Sequence, residues 1–254
     1  RVKNPVGGRS FLFNAVVARP VGRKEIEQEP EAQKAMKKEW DRLRERKVWD
    51  ETWIKEWHEV ADEARKKDKK VNLAYLFGIC VEKGSELEKK DRKYKYRVVF
   101  QGNRVVDQDY EAAAFEDLGS SPATLESSWA CDLYGSAEGH CVEMADAEQA
   151  YVQAELTGTE TWVCLPPEAR VGDHWKGFKR PVVRLRLALY GHPDAGTCWE
   201  KHCDAHLRKV GFEPISEVWS SCYFDHELKL FLVVYVDDFK LAGPKSNIRK
   251  GWEL

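Results

Sequence analysis

A chain of 254 residues with a 43% hydrophobic fraction, ten tryptophans and a net charge of −2 has enough apolar material for one large domain or two small ones, which excludes a disordered polymer. Charged residues reach 33%, above the roughly 25% of an average domain, yet the near balance singles out no partner for the whole chain. No apolar run approaches the roughly 18 residues of a membrane-spanning helix and no charged-then-apolar leader opens the chain, so a soluble protein without membrane attachment is expected.

Residues 1–29 hold Pro5, Gly7-Gly8 and Pro20 and read as a linker or upstream segment, with one apolar stretch from Phe11 to Val17. Pro30 then opens a helix, as a first-turn proline can. Ala32, Ala35, Met36, Trp40 and Leu43 mark its apolar face, Lys and Arg fill the other, and Val48-Trp49 closes the unit. After a second, charged helical stretch, Val71 to Val81 and Tyr94 to Phe100 predict two strands of a hairpin with a long loop around Lys83-Gly84-Ser85. From Arg65 to Arg97 there are twelve basic and five acidic residues, a local excess of +7 that leaves −9 for the remainder. A basic lobe joined to an acidic one suits a protein that grips polyanions with one part and collects cations with the other, and it equally describes a solvated lysine-rich hairpin. Strand alternation puts Lys95 and Arg97 on one face.

Farther on, Ala123 to Tyr134 predicts a helix and Val142 to Asp146 a strand, after which the chain turns away through Glu155. Pro166-Pro167 marks a loop, Pro181 to Leu189 a strand, and Ala195 to Val210 a helix ended by Gly211. The last apolar run, Leu228 to Val236, is bounded by Asp237-Asp238 and followed by Phe239 to Ala242. Seven cysteines without paired spacing favour free thiols in a reducing, intracellular compartment. The start at Arg1 rather than Met is expected of a piece of a longer protein.

Chemistry concentrates on carboxylates. Leu230 to Val236 is seven apolar residues in a row, a fully buried strand by pattern, and two adjacent aspartates at its end are costly to hold together unless solvent or a cation compensates them. A plain Asp-Asp turn is the simple reading of that pair alone. Asp146 also ends a strand, and Tyr151 stands five residues later. Two-metal polymerase sites need three carboxylates from two neighbouring strands, with the ions roughly 3.5–4 Å apart. An aromatic at the position of Tyr151 can sit under the incoming sugar and exclude a 2′-hydroxyl, or simply pack in the core. Cys198, His202 and His206 share a helical face with a spacing that can bind zinc, and His192 and Cys203 stand near them, but no second ligand pair accompanies them. Neither a phosphate-binding Gly-rich loop nor a Gly-x-Ser-x-Gly elbow is present.

The run Asp146-Ala147-Glu148-Gln149-Ala150-Tyr151 with Glu155-Leu156 resembles the first catalytic motif of copia-type retrotransposon reverse transcriptases, and Tyr235-Val236-Asp237-Asp238 the second. Leu189-Tyr190-Gly191 with Trp199 resembles the segment between, Tyr94 to Val99 the fingers strand, and Ala35 to Leu43 with Val48-Trp49 the opening of the domain. Trp162-Val163 with Pro166-Pro167 is similar to its middle, so the resemblance spans about residues 30 to 243 in order. It implies an α+β fold, an antiparallel palm sheet backed by helices with a fingers subdomain. Residues 30–140 would be fingers and first palm helix, and residues 141–254 a palm that stops short of the thumb and ribonuclease H regions. It further implies an RNA-directed DNA polymerase of a retrotransposon polyprotein, acting on an RNA or DNA template-primer and a deoxynucleoside triphosphate. Asp146, Asp237 and Asp238 would bind two Mg²⁺ ions, with Mn²⁺ able to substitute. Lys95 and Arg97 would contact the triphosphate, Tyr151 would gate the sugar, and Gly191 would lie close to the nucleotide or template. His192-Pro193-Asp194 stands where the family has a Leu-Lys-Gln run, and Phe115 to Ala123 departs from the pattern. A catalytically inactive nucleic-acid-binding remnant is the alternative reading. Oligomeric state has no signal in the sequence.

Overall fold

A computed structural model describes residues 17–115 and 120–254. Of the segment expected as a linker or upstream stretch at 1–29, residues 1–16, with Gly7-Gly8 and most of the stretch from Phe11, lie outside the described residues, whereas Ala18–Val21 form a strand and Arg23–Gln28 a helix. The middle of the departure between Phe115 and Ala123 also lies outside the described residues. In chain order the elements are β1 (Ala18–Val21), α1 (Arg23–Gln28), α2 (Pro30–Glu45), β2 (Trp49–Glu56), α3 (Trp57–Lys66) and β3 (Val71–Lys83). Next come β4 (Lys93–Phe100), β5 (Val106–Asp107), α4 (Leu125–Gly135), β6 (His140–Asp146), β7 (Glu160–Cys164) and β8 (Pro181–Leu185). The chain finishes with α5 (Ala195–Lys209), β9 (Glu213–Pro214), β10 (Cys222–Asp225), β11 (Leu230–Tyr235), β12 (Asp238–Pro244) and α6 (Lys245–Glu253). The class is mixed α+β. No helix among the described residues is long and apolar enough to cross a membrane.

The contacts divide the chain into two units, a smaller one whose described residues are 17–39 and 78–97, and a larger one of 40–77 and 98–254. In the smaller unit β1 pairs antiparallel with the end of β3, Ala18 opposite Lys83 and Val21 opposite Cys80. Its centre is a buried carboxylate. Glu82 is 2% exposed and accepts from Arg19 Nε at 2.6 Å and from the Tyr94 hydroxyl at 3.2 Å. Gly78 is required by close approach, because a Cβ there would collide with the Tyr96 ring. Along β4 exposed Lys93, Lys95 and Arg97 alternate with buried Tyr96, Val98 and Phe100, the two-residue period expected of a half-buried strand.

The larger unit is organised on two sheets. In one, the first half of β3 lies parallel to β7, β7 pairs antiparallel with β8, and β8 with β2. Helix α3 closes this core with Trp57, Val60, Ala61 and Ala64 against Leu73, Trp162 and Val182. A reciprocal capping box between Glu56 and Glu59 starts the helix. Strand β8 ends at Leu185, four residues before the sequence pattern suggests. There the chain changes partners, and Arg186 and Leu187 donate to the Val48 carbonyl while Leu187 bridges to Glu155.

The second sheet runs β6-β12-β11-β10-β9, antiparallel throughout. Both faces of its centre are covered, which is why β11 reads as an unbroken apolar run. On one face α4 packs Cys131 against Phe231, Val233 and Ala242. On the other, Trp199 and Cys203 of α5 and Ile248 of α6 pack against Leu230, Leu232, Val234 and Leu241. Each buried Val, Leu, Ile or Phe among them contributes about 1.5–3 kcal/mol relative to exposure. Thr124 caps α4 by accepting from Ser127 N at 3.3 Å, so the helix begins just after the expected Ala123. Helix α5 ends with Arg208 and Lys209 in its last turn and Gly211 at φ +101° just beyond. All seven cysteines are free thiols, and six of them are buried.

Candidate active site

The five-stranded sheet carries the three sequence-singled aspartates at one end. In the β6–β12 register Asp146 lies directly opposite Asp238. Ala147 N donates to the Asp237 carbonyl at 2.6 Å, which makes Asp146–Asp238 a non-hydrogen-bonded pair, the kind whose side chains stand closest. Their Cβ atoms therefore project from the same face, roughly 4.5–5.5 Å apart. Like charges directly opposite each other destabilise a sheet unless something compensates them. Lys240, two residues along β12, does not supply that compensation, because its ammonium is held by Asp132 at 2.7 Å and Ser128 Oγ at 2.9 Å. Met144, Asp146 and Asp238 are all exposed, so α4 leaves this end of the face open to solvent.

Asp237 occupies the turn itself. Tyr235 pairs with Asp238, so Val236 and Asp237 form a two-residue hairpin loop. Of the two, only Val236 has a positive φ, +57°, the pattern of a type II′ turn, whose first loop position favours glycine. A β-branched residue there is strained by roughly 1–3 kcal/mol. The strain is opposed by a hydrogen bond, since the buried Trp199 indole Nε1 donates to the Val236 carbonyl at 2.7 Å.

Tyr151 begins a short 3₁₀ turn after Gln149, whose φ is +57°. It is half-buried, edge-on to Tyr190 at 4.7 Å between ring centroids. Burial, then the carboxylates of Asp237 and Glu200, push its phenol up. A cavity of about 20 Å³ is lined by Tyr151, Trp199, Glu200 and Val236, room for about one water.

Gly191 has φ +88°, and a Cβ there would collide with the Phe100 carbonyl. The close approach that demands glycine is thus to the chain's own backbone. Next to it, His192 is 5% exposed, with its ring 4.6 Å from Phe100 and 5.5 Å from Phe115. Burial lowers its pKa to about 4. Its Nδ1 accepts from Asp194 N at 3.1 Å, so the proton sits on Nε2, which has no hydrogen-bond partner among the described residues.

The structure therefore brings Asp146, Asp237, Asp238 and Tyr151 to one end of one sheet. Lys95 and Arg97 belong to the smaller unit, on the exposed face of β4. Among the described residues no three His, Cys, Asp or Glu side chains are grouped closely enough to hold a metal ion. This applies equally to the Cys198/His202/His206 face, where the two histidine rings instead lie 4.4 Å apart. For the aspartates it means that the backbone converges while the carboxylates do not yet share one point. Sequence reasoning did not single out Val236 and used Trp199 only as a marker of likeness. A left-handed valine and the carbonyl that an indole reaches leave no mark in residue order.

No curated protein matches the chain. The family model described as reverse transcriptase (RNA-dependent DNA polymerase) matches residues 57–253, a span that contains the aspartate-bearing sheet, Tyr151, Gly191 and both halves of the larger unit's core. A domain of this family binds nucleic-acid template-primer and deoxynucleoside triphosphates in general, and the chain belongs to the reverse transcriptase family.

Proposed function

We propose that the chain is the fingers and palm part of a copia-type retrotransposon reverse transcriptase, catalysing templated DNA synthesis on an RNA or DNA template-primer. The observation that carries this reading is the direct opposition of Asp146 and Asp238, with Asp237 in the adjoining turn. Three carboxylates at an open sheet end form an all-oxygen donor set of the kind that suits Mg²⁺ or Mn²⁺. The opposed pair lacks a neutralising lysine from its own strand, which also fits a cation site. Asp146 and Asp238 are exposed, and exposed side chains rotate in picoseconds to nanoseconds, so a cation can draw them together by rotation. When bound, two Mg²⁺ ions would supply hydroxyl activation and charge neutralisation for transfer to a primer 3′-hydroxyl.

The chain's own residues then have distinct tasks. Asp146, Asp237 and Asp238 hold the ions. Tyr151 presents its ring edge to the sugar and excludes a 2′-hydroxyl, with Tyr190 packed behind it. Lys95 and Arg97 contact the triphosphate, lysine as a point charge and arginine as a fork, and Gly191 adjoins the nucleotide or template. The proposed division is an upstream segment at 1–29, which includes β1 and α1, fingers and first palm helix at 30–140, and palm at 141–254.

Primer extension with Mg²⁺ on primed RNA and DNA templates tests the reading, with Asp237→Asn as the control. Extension by the wild-type chain that the variant loses supports it. Salt-sensitive binding of the duplex with no extension under any divalent ion would replace it with the non-catalytic binding reading.

A further inference from the structure

We infer that Trp199 is a positioning residue for the aspartate turn, its indole N–H holding the peptide plane that decides where Asp237 points. The inference rests on the reading of Asp146, Asp237 and Asp238 as a divalent-cation site. The two mirror-image hairpin turns, I′ and II′, share a left-handed first loop residue and differ by a flip of the central peptide. In this loop the central peptide is the one between Val236 and Asp237, and its oxygen is the atom that Trp199 Nε1 holds at 2.7 Å. A flip would carry that oxygen away from the indole and drive Asp237 to positive φ, swinging its carboxylate off the end of β12. Valine does not secure the turn by preference, since its φ of +57° is disfavoured for a β-branched residue.

The holder is itself fixed. Trp199 is 5% exposed, stacks on His202 at 5.8 Å and stands edge-on to Phe239 at 6.5 Å. On the other side of Asp237, its own carbonyl accepts from Ala147 N at 2.6 Å. The peptide groups on both sides of Asp237 are therefore tied, one to the residue after Asp146 and the other to Trp199. Of these ties only the second is made by a side chain, and it can be removed without altering the strands.

The test uses the full chain and Mn²⁺ as the probe, titrated by electron paramagnetic resonance and in parallel by its effect on melting temperature. Trp199→Phe keeps an aromatic ring and deletes the donor together with the five-membered half of the indole. On top of a lower metal-free melting temperature from the smaller buried side chain, it should weaken Mn²⁺ binding about three- to tenfold, the worth of one hydrogen bond. Adding Val236→Gly, which takes a positive φ without strain, should recover most of that loss in the double variant. Unchanged Mn²⁺ affinity in Trp199→Phe would overturn the inference, as would a lowered melting temperature with no change in affinity. Should Trp199→Phe fail to fold, the wild-type indole N–H resonance decides. Slow exchange and a shift on adding Mg²⁺ support the role, and fast exchange overturns it. Asp237→Asn separates the two levels. If it binds Mn²⁺ as wild type does, the cation-site reading fails and takes this inference with it. If Asp237→Asn loses binding and Trp199→Phe does not, only the role of Trp199 falls.

Discussion

The two units secure their chemistry-bearing strands by opposite means. In the larger unit, β11 and β12 are clamped between apolar faces, and their aspartates hang off the end of a core that includes Leu232, Val234 and Leu241. In the smaller unit, the strand carrying Lys95 and Arg97 lies beside one buried carboxylate, Glu82, which gathers Arg19 and Tyr94. Apolar burial is not screened by salt, whereas an ion pair with a half-exposed partner is. The aspartates are thus mounted on an apolar core, and the basic strand beside an ion pair that responds to ionic conditions.

The largest effect that sharpens this contrast is on activity. Asp146→Asn or Asp237→Asn should lower primer extension by roughly a thousandfold, the several kcal/mol carried by metal charge stabilisation. The fold should persist, with far-ultraviolet circular dichroism unchanged. Residual activity within tenfold of wild type would mean that the sheet end is not the reacting centre.

The next effect is on stability. Leu232→Ala, in the fully packed strand, should destabilise the larger unit by about 2–5 kcal/mol, read from denaturant unfolding at both low and high salt. Glu82→Gln should loosen the smaller unit by less, and only that loss should shrink as salt is raised. Hydrogen exchange can follow each region separately. Equal salt dependence in the two variants would break the comparison.

Acid should affect the larger unit through His192. Its folded pKa of about 4 lies below the ordinary value near 6.5, so below pH 6.5 the unfolded chain binds a proton that the folded chain refuses. Stability should fall as pH drops from 6.5 towards 4, by up to about 3 kcal/mol, and level off below that. His192→Gln should flatten that part of the profile. A slope that survives the substitution would assign the titration elsewhere.

The smallest expected change is in selectivity. Tyr151→Ala should leave Mn²⁺ binding intact and raise ribonucleotide incorporation relative to deoxyribonucleotide, measured in matched primer-extension reactions. Unchanged discrimination would leave the ring as core packing beside Tyr190.

Residue order alone determined the elements with strong periodicity, because burial writes itself directly into sequence. The Pro30 helix, the β3–β4 hairpin, the apolar β11 and the helix before Gly211 all lie close to where pattern places them. Strand β2 was not legible, since Asp50, Glu51, Lys55 and Glu56 interrupt any alternation and the strand forms only because β8 offers it an edge. Of the site, the residue types and their order were visible, together with the resemblance they carry. Their meeting was not, since Asp146 and Asp238 stand in separate strands and are opposed only because β12 pairs with β6 in one register. Only the tertiary structure could place the Trp199 indole on the Val236 carbonyl. That contact joins a helix to a turn 37 residues away, and neither residue type predicts it, because a hydrogen bond to a backbone oxygen depends on where the chain lies and not on which side chain that residue bears.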